Sequence, residues 1–399
     1  MRTQGGTFAR PEDRRGPRRE DRAAVRRGST VERDPRRAAV EIAIQVGGPG
    51  IEVALVFFSP EYDLSVLAPA LVEAFGDVPV IGCTTAGEIG STGYLSGGIS
   101  GLGFPSADFT ARVALVENLS GFEVSNGRAI VHDLLGSAWH SWATRAAPGE
   151  RSFAVLLVDG TSTKEEMFVS AMHAELGDIP LVGGSAGDGL DFRRSFVLRD
   201  GKLHTDAALA LLLTTSRPFR VFQAQHFMPT QQKMVVTDAD PTRRIVREIN
   251  AEPAAQEYAR LVGLQGTELT PSAFANHPVV VRVGGNYYVR AIQKVNPDGS
   301  LTFYCAIDTG VVLTAARGVD LVENLAGLLE GLHAEIGATD VILAFDCILR
   351  RLEIEQKQLT RPVSELLARN GVMGFSTYGE QYNGMHLSQT ITGVAIGAA

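Results

Sequence analysis

The chain has few of the residues that announce common chemistries. Its three cysteines, Cys83, Cys305 and Cys347, are odd in number and far apart in 399 residues, which excludes a disulfide framework and any Cys-x-x-Cys zinc pattern. Covalent haem attachment is excluded with it, because no Cys-x-x-Cys-His occurs. Also missing are a His-Glu-x-x-His zinc site, an aspartate-rich calcium loop, the Gly-x-Gly-x-x-Gly dinucleotide fingerprint and a phosphate loop ending in Gly-Lys-Ser/Thr. Cys83 has no histidine pattern nearby to serve as its base, so an enzyme is not expected. The longest apolar stretch, Ala207 to Leu213, is far too short to span a bilayer. No membrane segment is expected, and the cytoplasm is the expected compartment.

Charge is unevenly placed. The first 37 residues hold twelve Arg, no Lys and six acids, leaving 25 basic against 39 acidic residues in the rest. An Arg-, Pro- and Gly-rich start with few large apolar residues buries too little surface to offset its ordering entropy, so residues 1–38 read as a disordered, solvated tail. The acids interspersed in it and the acidic body argue against a nucleic-acid partner. It lacks the continuous apolar segment of a secretory signal.

Repetition is what the chain has in abundance. Gly82-Cys-Thr-Thr-Ala-Gly87-Glu88 recurs as Gly374-Phe-Ser-Thr-Tyr-Gly379-Glu380, and more loosely as Gly183-Gly-Ser-Ala-Gly187-Asp188. Each follows a short apolar run, which places each turn at a strand's C-terminal end, the usual ligand edge of α/β proteins. Leu55–Ser59 reads as a strand, Leu64–Phe75 as a helix and Asp77–Ile81 as a second strand. The same series returns in Leu156–Gly160, Glu165–Leu176 and Asp178–Val182, and again from Val341 through Ser364–Asn370. The fold class expected is therefore α/β, with duplicated strand–helix–strand modules and mixed sheets.

The chain changes character after a connecting stretch, Val221–Asp240. A helix is expected over Ile245–Val262, broken or restarted at Pro253. Val279 to Ile307 then reads as an antiparallel meander, with turns at Gly284-Gly-Asn286 and Asn296-Pro-Asp-Gly299. Asp320–Ile336 sets its leucines along one helical face, and His386–Ile396 closes the chain as β structure.

The glycine turns offer hydroxyls and N–H groups for an anion or an amino acid, so Gly82, Thr84, Glu88, Gly183, Ser185, Asp188, Gly374, Ser376, Glu380 and Gln381 form one candidate ligand set. For each of them a helix-capping or turn-fixing role is the competing reading. His226 is flanked by Phe222, Phe227 and Met228, which offer its imidazole an apolar wall, but the residues alone favour a partly exposed connector histidine. His277 and His386 rank behind it; His132, His140, His173, His204 and His333 read as helix or surface residues.

These motifs, together with Glu248-Ile-Asn-x-x-Pro-Ala254, Tyr258, Ala344-Phe-Asp-Cys-Ile348 and Arg350-Arg351, resemble the FIST family. That resemblance implies a bacterial sensory module of signal transduction, with an N-terminal FIST domain over 39–240 and a C-terminal one, carrying the meander, over 241–399. Gln225-His226-Phe227-x-Pro229-Thr230 and the closing Gln381–Thr390 segment resemble the branch that senses nitric oxide through haem b. The implication is non-covalent haem held by His226 on the iron, with Phe227, His277, Tyr288, Arg290 and His386 around it. Output would pass in trans to a histidine kinase or to a diguanylate cyclase or phosphodiesterase, with a homodimer as a further expectation. The alternative is a FIST module for a small polar ligand such as an amino acid, without haem; a pure assembly module is the third reading.

Overall fold

Three parallel strand pairs, rich in β-branched and aromatic residues, organise the chain. The computed structural model describes residues 23–135 and 149–398. Ile51–Phe58 pairs with Val80–Thr84, Arg151–Val158 with Leu181–Ser185, and Thr339–Cys347 with Val372–Thr377, each in parallel. Helices fill the crossovers: Leu64–Phe75, capped by the Asp63 side chain, then Glu165–Leu176, then the tandem Ile348–Gln356 and Thr360–Arg369. Parallel pairing demands such connections.

Each pair belongs to a six-stranded sheet of the same design. An antiparallel return strand lies beside the first member: Ile99–Pro105, Ala207–Thr215 or Ile391–Gly397. Outside that lies Arg26–Thr30, Phe109–Glu117 or Phe219–Ala224. The other edge is supplied by a hairpin from a different unit. The hairpin Glu88–Gly90/Gly93–Leu95 joins the third sheet, Val197–Arg199/Lys202–His204 joins the first, and Glu380–Tyr382/Met385–Leu387 joins the second. The exchange is cyclic, so every sheet closes on its neighbour's chain.

The inner faces of all three sheets meet in one core that includes Phe57, Phe104, Phe153, Leu209, Phe345 and Phe375. Helices cover the outer faces, with Ile42 and Leu71 on the first, Phe168 and Met172 on the second, and Leu325 and Leu367 on the third. This is the expected α/β fold of mixed sheets. Between the outer strand and first helix of the third unit, residues 227–318 form a separate eight-stranded sheet. It contains the two hairpins of the expected meander, but the middle strand breaks at Ala291 and its halves, Asn286–Arg290 and Ile292–Val295, stand at opposite ends of the strand order. Its own core includes Met234, Val246, Tyr258, Phe274, Phe303 and Leu313.

Three expectations about single segments need correction. Residues 23–38, expected as part of a disordered tail, include the strand Arg26–Thr30, paired along Ile99–Gly103, and the start of the helix Pro35–Val46. Backbone pairing needs no apolar side chains, and Ala38, Ala39, Ile42 and Val46 bury the helix; composition alone conceals both. Residues 1–22 and His140 lie outside the described residues. Ile245–Ile249, expected as helix, is a strand, with the helix restricted to Ala254–Val262 beyond Pro253. Likewise, the stretch Val221–Asp240 consists largely of strands. No helix among the described residues is long and apolar enough to cross a membrane.

Candidate functional site

The leading glycine of each repeated turn answers a packing demand. Gly82, Gly183 and Gly374 stand opposite Val56, Leu156 and Ala344 on the parallel neighbour. A Cβ at these places would lie 1.8, 2.2 and 1.8 Å from the facing carbonyl oxygens. Only glycine lets the strands approach so closely, and Gly374 also holds φ at +150°.

The carboxylates and hydroxyls stitch the exchanged hairpins to the turns. Glu88 accepts from the Thr85 hydroxyl at 2.5 Å and from Gly98 N–H at 3.1 Å. Glu380 repeats this with Thr377 at 2.5 Å and with the N–H and hydroxyl of Thr390 at 3.1 and 2.7 Å. Burial pushes the two carboxyls up, to about 7 for Glu88 and about 8 for Glu380. Asp188 accepts from the N–H groups of Phe192, Arg193 and Arg194, and also bonds the Tyr378 hydroxyl. The hydroxyl of Thr84 accepts from Phe196 N–H at 2.9 Å. The backbones of Ser185 and Ser376 bond across the other two joints, Ser185 N–H to Gly379 O and Ser376 N–H to Gly87 O. Gln381 donates to Ser185 Oγ at 3.0 Å. The carboxylate oxygens of Glu88, Asp188 and Glu380 are thus taken by the protein's own donors.

At the C-terminal ends of the strands a cleft of about 560 Å³ opens where the three units meet. The first turn contributes Thr85 to Glu88, the second Asp188 to Asp191, and the helix Ile348–Gln356 contributes Ile348, Arg351, Leu352 and Glu355; Glu61 and Ser96 stand on the rim. Arg351 is its cation. Nε bonds Glu355 at 3.1 Å, Nη2 bonds Leu95 O at 3.0 Å and Ser96 Oγ at 2.7 Å, and the guanidinium lies over the Tyr94 ring. Buried Nη1 has no partner, which is costly for a charged donor. It lies against Gly87, where a Cβ would come within 1.8 Å of it. In the sequence Arg351 stands only as part of the Arg350-Arg351 motif, with no role attached; its position on a helix that opens directly after a strand's C-terminal end is the signal that marks it.

The residues expected around haem fall into separate places. His226 is fully buried, its Nε2 2.9 Å from Glu353 Oε2 and its Nδ1 3.1 Å from Arg350 Nη1. Arg350 has only protons to give, so Nδ1 must accept and Nε2–H must donate to Glu353. Desolvation holds this imidazole below its usual range, so it is neutral at pH 7. Neither nitrogen keeps a lone pair for iron, and His226 lines none of the cavities described here. Phe227 packs on its ring, with centroids 4.0 Å apart. His277 ends the short helix Pro271–Asn276, its Nδ1 3.1 Å from Ala273 O. Tyr288 is buried on the strand Asn286–Arg290. Only Arg290 and His386 share a cavity, with Arg290 Nη1 3.4 Å from His386 O. As arranged, these residues do not fit a haem whose iron is bound by His226.

Fold and cleft define a class: an α/β chain of exchanged units with a polar ligand-sized cavity at the strand ends. The chain belongs to the FIST family, since the FIST N domain profile matches residues 52–252 and the FIST C domain profile matches residues 254–383. FIST domains are sensory modules of signal transduction. No curated protein matches the chain at a significant level.

Proposed function

We propose that this FIST protein senses a small polar ligand bearing both a carboxylate and an ammonium, of the amino-acid class, in the cleft between the first two glycine turns and the helix Ile348–Gln356. The observation that carries this reading is the partnerless Nη1 of buried Arg351 beside that cleft. Nη1 is sealed against Gly87, so a ligand carboxylate would satisfy it by drawing the guanidinium toward the cleft. Asp191 on the same wall suits a cationic group, whereas Glu61 and Glu355 are already paired with Arg33 and Arg351.

Signal transfer follows from what the helix touches. Arg351 faces the cleft, while the adjacent Arg350 holds Asp346 at 2.8 Å and His226 at 3.1 Å, and His226 leads directly into the inserted sheet. A ligand that repositions Arg351 shifts this helix against the insertion, and a separate signalling enzyme, a histidine kinase or a cyclic-di-GMP enzyme, reads the altered surface. Thermal melting of the full chain against the standard amino acids tests the binding. At least one should raise the melting temperature of the native chain and leave Arg351→Gln unmoved. An equal rise in that variant would refute the assignment.

A further inference from the structure

A second cavity, of about 370 Å³, lies on a different joint. The helix Glu165–Leu176 supplies Glu166, Met167 and Ser170, the hairpin Met385–Leu387 supplies His386, and the inserted sheet supplies Arg290 and Cys305. Its polar groups are out of balance. Both oxygens of Glu166 are occupied, Oε1 by Ala306 N–H at 3.1 Å and Oε2 by Arg244 Nη2 at 2.6 Å. Arg290 makes no ion pair among the described residues, and the one hydrogen bond of its side chain is the 3.4 Å contact to His386 O. His386 is 5% exposed and its Nδ1 has no partner. The back of the ring lies on Gly379, where a Cβ would come within 2.5 Å of Nε2. Burial pushes the Cys305 thiol up to about 11, so it remains S–H. The cavity therefore presents an Arg290 guanidinium with a single weak side-chain hydrogen bond and a His386 Nδ1 with no partner, and a buried polar atom without a partner is uncommon in a folded protein.

We propose that this cavity is a second ligand site, built for a small oxyanion, carboxylate or phosphate, with Arg290 as its charge partner and His386 as its hydrogen-bond partner. It is separate from the Arg351 cleft: the two share no lining residue. An anion here would tie the inserted sheet, through Arg290, to the exchanged hairpin of the third unit and the helix of the second. Its charge would also favour protonation of His386, which burial and the neighbouring Arg244 and Arg290 hold down at about 4 against the opposing pull of Glu166.

The test is nuclear magnetic resonance of the full chain with ¹⁵N-labelled imidazoles, titrated separately with sodium acetate and sodium phosphate at constant ionic strength in chloride. One imidazole, identified by its loss in His386→Gln, should shift saturably with at least one anion. Arg290→Gln should weaken that response at least tenfold with melting little changed, Arg290→Lys should weaken it less, and Arg351→Gln should leave it intact. Saturation by acetate alone assigns a carboxylate, and by phosphate alone a phosphate. Should His386→Gln fail to fold, a single saturable imidazole shift lost in Arg290→Gln still supports the site. Shifts that grow linearly for both anions, or saturation that survives Arg290→Gln, would overturn it. Since Arg351→Gln separates the two cavities, failure here and failure of the amino-acid reading are distinguishable.

Discussion

His226 shows how a residue's chemistry depends on partners that local sequence does not reveal. Its ring nitrogens meet Arg350 and Glu353, 124 and 127 positions away, and no spacing rule encodes such a pair. Apolar neighbours were legible in the sequence; the buried polar network was not. Glu353 also holds Lys357 at 2.5 Å, and Arg350 also holds Asp346. Truncation at His226 would leave Glu353 and Arg350 buried with fewer partners. We predict that His226→Ala costs about 3 kcal/mol of stability in denaturant titration, from the cavity it opens and the two buried charged partners it leaves short of a hydrogen bond. The same variant should leave the absorption spectrum of haem-mixed protein unchanged. A Soret band in the native chain that disappears in His226→Ala would restore the haem reading.

At the scale of elements, the three glycine turns were the most legible part of the fold, because duplication wrote the same demand three times. Their register, strands and crossover helices agree with the repeats. Concealed from sequence was the cyclic exchange of hairpins, since pairing such as Phe375 with Glu88 joins segments nearly 300 residues apart. The leading glycines owe their place to strand approach, so Gly374→Ala should destabilise by about 3 kcal/mol through its clash with the Ala344 carbonyl. Gly76→Ala is the control: a Cβ there meets nothing within 4 Å, so its smaller cost reflects only the positive φ of a helix end. Equal losses in the two variants would contradict the packing account.

The whole molecule combines buried acids and buried bases whose shifts oppose each other in pH. Glu88 and Glu380 have folded values raised from 4.5 to about 7 and about 8. Their contribution to stability is complete below the unfolded value and is lost as pH rises through the folded one. His226 and His386 are lowered from 6.5, His386 to about 4. Their contribution is present above the unfolded value and is lost as pH falls through the folded one. The melting temperature should therefore peak near pH ~6 and decline on both sides. Glu380→Gln, a neutral isostere that keeps an acceptor for Thr390 and cannot ionise, should flatten the alkaline decline. A profile level from pH 5 to 9, or an alkaline slope unaltered by that variant, would contradict the assignment of these groups.

The joints between units are also where both cavities lie, so the proposed ligand sites share the framework of assembly. Arg351 is the test of that framework, because its buried Nη1 has no hydrogen-bond partner. The most direct measurement is a calorimetric titration of the full chain with whichever amino acid shifts its melting, repeated on Arg351→Gln and Arg351→Lys. The account predicts a saturable one-to-one isotherm for the native chain, at least tenfold weaker binding in Arg351→Gln and an intermediate value in Arg351→Lys. Equal affinity in all three proteins would contradict it.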